Sequence, residues 1–285
     1  MTDSRRYREI GVTPLSAALG AQIDGVDLTQ PLSDSVMQEL KDAFATYSVI
    51  FFRDQSLSPQ QHIDLAEQWG EININRFFKP LDGYPQIAEV IKAPDQKENI
   101  GGTWHTDHSY DQIPAMGSML YARQVPPAGG DTLFASMTLA FEALSDGMKK
   151  TLLGLNAWHS SRHAFGYSVS DSEHYEDGRL ANPELAVQDA LHPVIITHPL
   201  SGKKALYVNA DFTVRFDGWT TEESQPLLDF LYAHGAREEF TCRFEWQEGS
   251  IALWDNRATW HNAMNDYHGH RRVMHRITLE GVALQ

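Results

Sequence analysis

The sequence predicts a mixed α/β fold with a mainly β core: a double-stranded β-helix (a cupin-like jelly roll) with flanking helices. From about residue 100 onward the chain contains many short apolar runs rich in β-branched and aromatic residues. Pro, Gly and Asp/Asn turns separate many of these runs. Capped, amphipathic segments precede and interrupt them. Many short strands in one unit of this size favour a barrel or jelly roll with helices outside.

The helices are predicted from apolar spacing and from capping residues. In 33–47, Ser33 can cap the N-terminus, and Val36, Leu40 and Phe44 recur every four residues on one face. Three more helices are expected: one that starts at Ser58 with Pro59 and Gln61 in its first turn, one from about Thr138 into KKTLLGL, and 220–236 with a Thr220/Glu223 capping box.

The strands are predicted from short runs with little polar character. They are expected at 47–52, 118–125, 132–136, 193–198, 204–209, 250–255 and 273–279. Residues 166–190 are polar and weakly patterned, so we interpret them as a mobile surface segment and a candidate lid. No linker composition divides the chain, so residues 1–285 are expected to form a single domain.

Composition excludes several classes of partner. The chain has 23 Lys and Arg against 38 Asp and Glu, a formal net charge of −15. Nucleic acids and anionic membranes need a concentrated positive surface, so neither is an expected partner. Neither a membrane-spanning run nor a secretory signal is evident. Cys242 is the single cysteine, which argues against an intramolecular disulfide and favours a cytoplasmic location.

The stretch TWHTDHSY (103–110) contains a candidate pair of metal ligands. On a strand, His105 and Asp107 point to the same face and can meet one ion. A second His-x-Asp, formed by His62 and Asp64, lies in a predicted helix, where residues two apart do not face each other. The pattern therefore arises without metal chemistry, and a hydrogen-bonded strand end remains an alternative for 103–110.

A third ligand would decide between these alternatives, but spacing alone does not identify it. The chain has 13 histidines. Four of them fall in the segment 254–276: His261, His268, His270 and His275. Periodicity does not choose among them.

The order and spacing of several motifs resemble the TauD/TfdA (taurine dioxygenase) family. WHTD is followed by GGDTLFAS (129–136), WDNRATWHNAMNDY and RRVMHR, and the resemblance includes the early LGAQIDGVDLTQPLSD and VIFFRDQSLSPQQH. Members of this family are Fe(II)- and 2-oxoglutarate-dependent dioxygenases. The resemblance therefore implies that the chain uses Fe(II), 2-oxoglutarate as cosubstrate, and O2.

The resemblance assigns roles to six matching positions. It implies the iron ligands His105, Asp107 and His261. It implies that Arg276 clamps the distal carboxylate of 2-oxoglutarate and that the Thr132 hydroxyl supports this clamp. Arg272 matches another arginine on the same strand, two alternations away. Arginine suits such a role because its planar fork pairs bidentately with a carboxylate.

The substrate pocket of the taurine enzyme is only partly matched. Phe165 and Phe212 match two aromatic residues, whereas Asn75, Phe78 and Gly101 stand where a histidine, a tyrosine and an asparagine contact taurine. We also expect Asn73 and Trp104 to line the pocket. The changes predict a larger or less cationic anion (an organosulfonate, an alkyl sulfate ester or an aryloxyalkanoate), hydroxylated at a C–H next to a heteroatom.

Two other functions remain as alternatives. A zinc-dependent hydrolase could use the same His/Asp/His set, because zinc activates water. Such an enzyme would not need Arg276 and Thr132. A non-catalytic metal-binding protein on the same barrel is the other alternative. By analogy with related barrels, a dimer or tetramer is expected.

Overall fold

The structure, a computed structural model, describes residues 7–285. The strands in this range are β1 (Gly11–Pro14), β2 (Ala21–Asp24), β3 (Val49–Phe52), β4 (Ile72–Asn73), β5 (Pro80–Leu81), β6 (Tyr84–Lys92), β7 (Gly117–Gln124), β8 (Thr132–Ser136), β9 (Asn156–Ser160), β10 (Asp189–Pro193), β11 (Ile195–Thr197), β12 (Lys204–Leu206), β13 (Thr213–Phe216), β14 (Thr241–Phe244), β15 (Ile251–Asp255), β16 (Thr259–Ala263) and β17 (Arg272–Leu279). The α-helices are α1 (Asp34–Tyr47), α2 (Pro59–Trp69), α3 (Met137–Glu142), α4 (Asp146–Leu152), α5 (Arg162–Phe165), α6 (Glu173–Glu176) and α7 (Thr221–Gly235).

The largest sheet has nine strands in the order β1-β2-β3-β15-β7-β17-β6-β5, with β4 also paired to β17. All its pairs are antiparallel except β2 with β3. Strand β17 lies between β7 and β6. Its alternate residues therefore project from a fixed central position in the sheet.

A smaller sheet, in the order β14-β8-β16, packs against the large one. The buried cluster between them contains Phe51, Phe134, Phe244 and Trp254, which come from both sheets. The rings of Phe51 and Phe244 stack with their centroids 4.0 Å apart. Two antiparallel sheets that face each other across an apolar layer are a jelly roll. The predicted fold class is confirmed.

Helices α1 and α2 pack on the large sheet, in a different buried cluster from the one between the two sheets. The rings of Phe44 and Trp69 meet edge to face with centroids 5.4 Å apart. The predicted caps are present: the Ser33 hydroxyl accepts a hydrogen bond from the backbone N–H of Val36, and Ser58 forms a capping box with Gln61. Both helices begin where their sequences predict.

The predicted helix after Thr138 is instead two helices. Helix α3 ends at Glu142, and α4 begins at Asp146, where the Ser145 hydroxyl accepts a hydrogen bond from the Met148 N–H. A serine inside the run thus provides a new N-cap. Helix α7 begins at Thr221, and the predicted capping box of Thr220 and Glu223 is present at its N-terminus.

Residues 166–190 contain α6, short 3₁₀ turns and the start of β10. The segment is tied to the loop before the metal motif. The Glu173 carboxylate accepts hydrogen bonds from the N–H groups of Lys97 and Glu98, and Arg179 Nη1 donates to the Glu98 carbonyl at 2.7 Å. That the segment moves, or closes as a lid, stays a prediction.

None of the helices in residues 7–285 combines the length and apolar character that a membrane span requires.

Candidate active site

A cavity of about 410 Å³ opens beside the two packed sheets. Ten of the twelve predicted site residues line it: Asn75, Phe78, His105, Asp107, Thr132, Phe165, Phe212, His261, Arg272 and Arg276. They come from strands β8, β16 and β17, from helix α5 and from loops that flank the sheets. The fold therefore gathers residues that are up to about two hundred positions apart.

His105, Asp107 and His261 form a buried cluster. One ligand atom from each lies within 4.8 Å of the others. His105 Nε2 is 3.8 Å from Asp107 Oδ1, and His261 Nε2 is 3.8 Å from Asp107 Oδ2. The histidine that joins His105 and Asp107, which spacing left open, is thus His261, and that these three residues bind a metal stays a prediction. The predicted negative control, His62, lies apart from this cluster in α2.

Backbone pairing places the two histidines side by side. His105 and His261 form an antiparallel bridge: the N–H of His105 donates to the His261 carbonyl at 3.1 Å, and the N–H of His261 donates to the His105 carbonyl at 2.8 Å. Opposite residues in such a bridge have neighbouring side chains. The Ser118 hydroxyl donates to Asp107 Oδ2 at 2.9 Å and fixes the carboxylate.

The protonation states suit metal binding. Burial, together with neighbouring His105, lowers the pKa of His261 well below its ordinary value, so the imidazole is neutral. Burial alone would raise the pKa of Asp107. The positive charge of Arg276, the largest of the opposing influences, together with the nearby histidine rings outweighs burial, so the pKa of Asp107 lies below its usual range and the carboxylate is ionised.

The donor set fits a non-heme iron. Two imidazole nitrogens and one carboxylate, with no thiolate, form the facial set typical of Fe(II) oxygenases. His105 Nδ1 lies 2.9 Å from the carbonyl of Thr103, which favours the tautomer with Nδ1–H and leaves Nε2 free to ligate. The residues present therefore fit the metal that the sequence resemblance implies.

Arg276 lies next to the cluster of His105, Asp107 and His261. Its Nη1 is 3.4 Å from Asp107 Oδ1, and its guanidinium carbon lies 4.4 Å from the centre of the Phe78 ring. The side chain is buried, and among residues 7–285 its Nε has no hydrogen-bond partner. A buried cation with unused donors is ready to hold an anion beside the metal.

Arg272 lies with Thr132 instead. Its guanidinium carbon is 5.8 Å from the centre of the Trp246 ring, and the Trp246 indole N–H donates to the Thr132 hydroxyl at 2.9 Å. Arg272 is buried, and its Nε and Nη2 have no partner within the described chain. This geometry favours Arg272, not Arg276, as the partner of Thr132, and so departs from the predicted assignment.

Gly130 allows the close approach of Arg272. It has φ +73°, and a Cβ placed there would lie 3.3 Å from Cδ of Arg272 and 3.1 Å from Pro126. The GGD turn thus leaves room for the guanidinium beside the start of β8.

Aromatic residues form another part of the cavity wall. Tyr110 and Phe212 meet edge to face with centroids 4.9 Å apart, and Phe165 lies 5.9 Å from Phe212. The Asn75 side-chain oxygen accepts hydrogen bonds from the N–H groups of Phe77 and Phe78, so it shapes the turn that carries Phe78. This wall suits an apolar group.

Two predicted pocket residues lie elsewhere. The Asn73 amide donates to Glu280 Oε1 at 2.7 Å, and its strand β4 pairs with the end of β17. Trp104 packs against the apolar cluster that contains Trp260. Neither side chain is on the cavity wall, because each has a partner outside it.

The cavity-wall residues that the sequence did not predict include four with ionisable side chains: Tyr110, His163, His174 and Asp211. Three of them had a usable signal. Tyr110 ends the TWHTDHSY stretch, His163 lies two residues before Phe165, and Asp211 directly precedes Phe212. His174 had none, because it lies in the weakly patterned segment.

The site and the fold agree with known proteins. The pattern of the taurine catabolism dioxygenase TauD, TfdA family matches residues 11–278. The chain belongs to this family. An alkylsulfatase of Acinetobacter baylyi is 34% identical over 277 residues, which are 96% of this chain and 86% of the relative. The alpha-ketoglutarate-dependent sulfate ester dioxygenase of Pseudomonas putida is 32% identical over 96% of this chain and 90% of its own.

A solved structure shares the architecture of this TauD/TfdA chain. A taurine dioxygenase from Burkholderia xenovorans superposes with a TM-score of 0.82 at 34% identity, over 97% of this chain and 93% of the other. The predicted class, an Fe(II)- and 2-oxoglutarate-dependent dioxygenase, is confirmed by family membership together with the His/Asp/His cluster.

Proposed function

We propose that this dioxygenase hydroxylates the carbon next to the oxygen of an alkyl sulfate ester. One observation carries the proposal: a buried His/Asp/His cluster and two buried arginines with unused donors share a cavity whose lining also includes several aromatic side chains. Both curated relatives described above act on sulfate esters or carry the name alkylsulfatase. Organosulfonates and aryloxyalkanoates are the other predicted substrates.

We assign His105, Asp107 and His261 as the Fe(II) ligands. Arg272, with Thr132 beside it, is assigned to the distal carboxylate of 2-oxoglutarate. The buried N–H groups of Arg272 can form the two parallel hydrogen bonds that a carboxylate accepts. Arg272 and Arg276 are four residues apart on β17 and so lie on one face of the strand.

Arg276 is assigned to the sulfate group. In an alkyl sulfate, the carbon to be hydroxylated is separated from sulfur by one oxygen atom. The sulfate must therefore lie close to the metal when that carbon is in reach. Arg276 is the arginine whose guanidinium contacts a metal ligand, at 3.4 Å from Asp107. The alkyl chain then extends along Phe78, Phe165 and Phe212, which also exclude water.

Bound Fe(II) and 2-oxoglutarate supply the activation of O2, which places one oxygen atom in succinate and the other on the substrate carbon, with loss of CO2. The product carries a hydroxyl and a sulfate on one carbon. The bond between that carbon and the sulfate oxygen then breaks, the hydroxyl proton is lost to the sulfate, and the products are an aldehyde and hydrogen sulfate. The residues hold both anions, keep Asp107 ionised and position the C–H; none needs to transfer a proton to the reacting carbon.

The ligand assignment is tested with variants of the two His-x-Asp motifs. His105→Ala should abolish the formation of succinate and sulfate from 2-oxoglutarate and an alkyl sulfate. His62→Phe, in the second motif, should retain it at neutral pH, because His62 contacts the Tyr121 ring and not the cavity. Equal losses in both variants would contradict the assignment.

Four further expectations from the sequence stay predictions: a small anionic substrate, a dimer or tetramer, a single domain over residues 1–285 and a cytoplasmic location. A panel of alkyl sulfates, alkanesulfonates and aryloxyalkanoates tests the substrate class, with succinate formation as the readout. We expect the alkyl sulfates to have the highest kcat/KM. A higher kcat/KM for either other class would overturn the choice of sulfate esters.

A further inference from the structure

The two histidines of the metal cluster are supported in different ways. His261 Nδ1 is buried, and no residue in 7–285 provides it with a hydrogen-bond partner. Its ring is held by packing, with the centre of the Trp254 ring 4.8 Å away. His105 Nδ1, in contrast, faces polar groups. These polar groups lie behind His105.

Asp211 lies behind His105. Its Oδ2 is 3.7 Å from His105 Nδ1, and the same nitrogen lies 2.9 Å from the Thr103 carbonyl. The Thr103 hydroxyl donates to both carboxylate oxygens of Asp211, at 2.7 and 2.8 Å. One residue thus contacts His105 through its carbonyl and Asp211 through its hydroxyl.

The carboxylate of Asp211 is not used elsewhere as an ion-pair partner. Within the described part of the chain, no lysine or arginine lies within 4.0 Å of it, and His105 is its sole partner of opposite or potential positive charge. The side chain is 27% exposed, whereas that of His105 is 7% exposed. Among the ion-pair contacts of residues 7–285, His105 is thus the group that the Asp211 carboxylate approaches within 4.0 Å.

The backbone holds Asp211 in place. The neighbouring Asn209 is buried, and its side-chain oxygen accepts a hydrogen bond from the Phe212 N–H at 3.0 Å. The Phe212 carbonyl in turn accepts from the N–H of Ser160 at 2.8 Å. The His163 ring nitrogen Nε2 lies 2.6 Å from the Asp211 carbonyl. These contacts fix the backbone at Asp211, and the hydrogen bonds from the Thr103 hydroxyl hold its carboxylate toward His105.

We propose that Asp211 is a positioning residue for the metal ligand His105. Its charge stabilises the Nδ1–H tautomer, makes Nε2 a better electron donor and, through Thr103, fixes the ring plane. A carboxylate or carbonyl behind a metal-bound histidine commonly has this effect, and its removal lowers metal affinity roughly 10- to 100-fold. The inference rests on the metal site of the proposed function, but not on the substrate.

The test uses Co(II), titrated into the metal-free full-length protein and followed by its visible absorption. Asp211→Asn removes the charge but keeps an oxygen that can accept from the Thr103 hydroxyl. We expect a rise in Kd of about 10-fold, the lower end of the usual range because the carboxylate is 3.7 Å from Nδ1. Thr103→Val, which keeps the carbonyl and removes the hydroxyl, should raise Kd by a smaller factor in the same direction.

A matched control is Asp229→Asn, which makes the same charge change on the exposed face of α7. It should leave Kd and the Co(II) spectrum unchanged. The Co(II) spectrum of Asp211→Asn should shift, because the ligand field of His105 changes. If the metal-free variant keeps the melting temperature of the wild type, a purely structural role of Asp211 would not explain that shift.

The outcomes are distinguishable. A Kd and a spectrum that match the wild type in Asp211→Asn overturn the inference. A change in KM for the alkyl sulfate without a change in Kd also overturns it, because Asp211 then acts on substrate. Tight Co(II) binding by wild type, combined with no turnover of 2-oxoglutarate when the same protein is loaded with Fe(II), would refute the proposed function alone. Absence of Co(II) binding by wild type would refute both.

Discussion

The substitution Arg272→Met tests which of the two arginines of β17 binds the distal carboxylate of 2-oxoglutarate. The substitution keeps an unbranched apolar stem beside Trp246 and removes the guanidinium. In the proposed complex, Arg272 makes two charge-assisted hydrogen bonds to the distal carboxylate of 2-oxoglutarate. Each contributes roughly 1.5–3 kcal/mol, so their loss costs at least about 3 kcal/mol. That free energy corresponds to a rise in KM for 2-oxoglutarate on the order of 100-fold.

The assay measures succinate formation at saturating alkyl sulfate, with 2-oxoglutarate varied. Thr132→Val should raise the same KM roughly 10-fold, since a single hydrogen bond to a charged carboxylate is worth at least about 1.5 kcal/mol. Arg276→Met is the comparison on the same strand. It should raise KM for the alkyl sulfate and leave KM for 2-oxoglutarate close to that of the wild type.

The reverse pattern would refute this reasoning. If Arg276→Met raised KM for 2-oxoglutarate on the order of 100-fold and Arg272→Met did not, the distal clamp would be Arg276, as the sequence resemblance implies. The contacts of Thr132 with Trp246, and of Trp246 with Arg272, would then serve only packing.

Two further predictions concern stability. Burial lowers the pKa of His62 to about 3, so this histidine is neutral when folded but binds a proton below about pH 6.5 when unfolded. The contribution of His62 to the free energy of unfolding is therefore complete above pH 6.5 and is lost as pH falls toward 3. Urea unfolding at pH 7.5 and at pH 5 should show that this residue accounts for a loss of about 2 kcal/mol in the free energy of unfolding. The loss should be absent in His62→Phe and retained in the control His268→Phe, at an exposed histidine. Gly117→Ala should lower stability by roughly 1–3 kcal/mol, because a Cβ there would lie 2.3 Å from the Trp254 carbonyl oxygen. Gly147→Ala, where no atom lies within 4 Å, should have a small stabilising effect, and equal melting temperatures for the two variants would contradict the steric argument.

The local parts of the fold could be predicted because their signals are local. Ser33 and Ser58 identify helix starts through hydrogen bonds within one turn. The break at Ser145 was missed because the apolar pattern of α3 continues into α4. Strand β6, YPQIAEVIK, was missed because polar residues and a proline interrupt its apolar run. Strand β16, TWHNA, was missed because the polar residues His261 and Asn262 interrupt its apolar character.

The metal site could be predicted further than the pocket. The sequence suggested a strand for 103–110, but His105 forms only an isolated bridge and Asp107 lies in the turn after it. The bridge between His105 and His261 brings in the third candidate ligand. Arg272 and Arg276 have equivalent positions on β17, so spacing cannot tell which approaches the metal; the turn at Gly130 decides this in three dimensions. Trp104 has the same aromatic character as a pocket residue and packs in the opposite direction.

The measurement that tests the central claim most directly is the stoichiometry of products from an alkyl sulfate, 2-oxoglutarate, O2 and the Fe(II)-loaded protein. The account predicts succinate, sulfate and aldehyde in equal amounts, with none of the three formed when 2-oxoglutarate is omitted. Sulfate released together with an alcohol, without succinate and without a need for 2-oxoglutarate, would show hydrolysis and contradict the account.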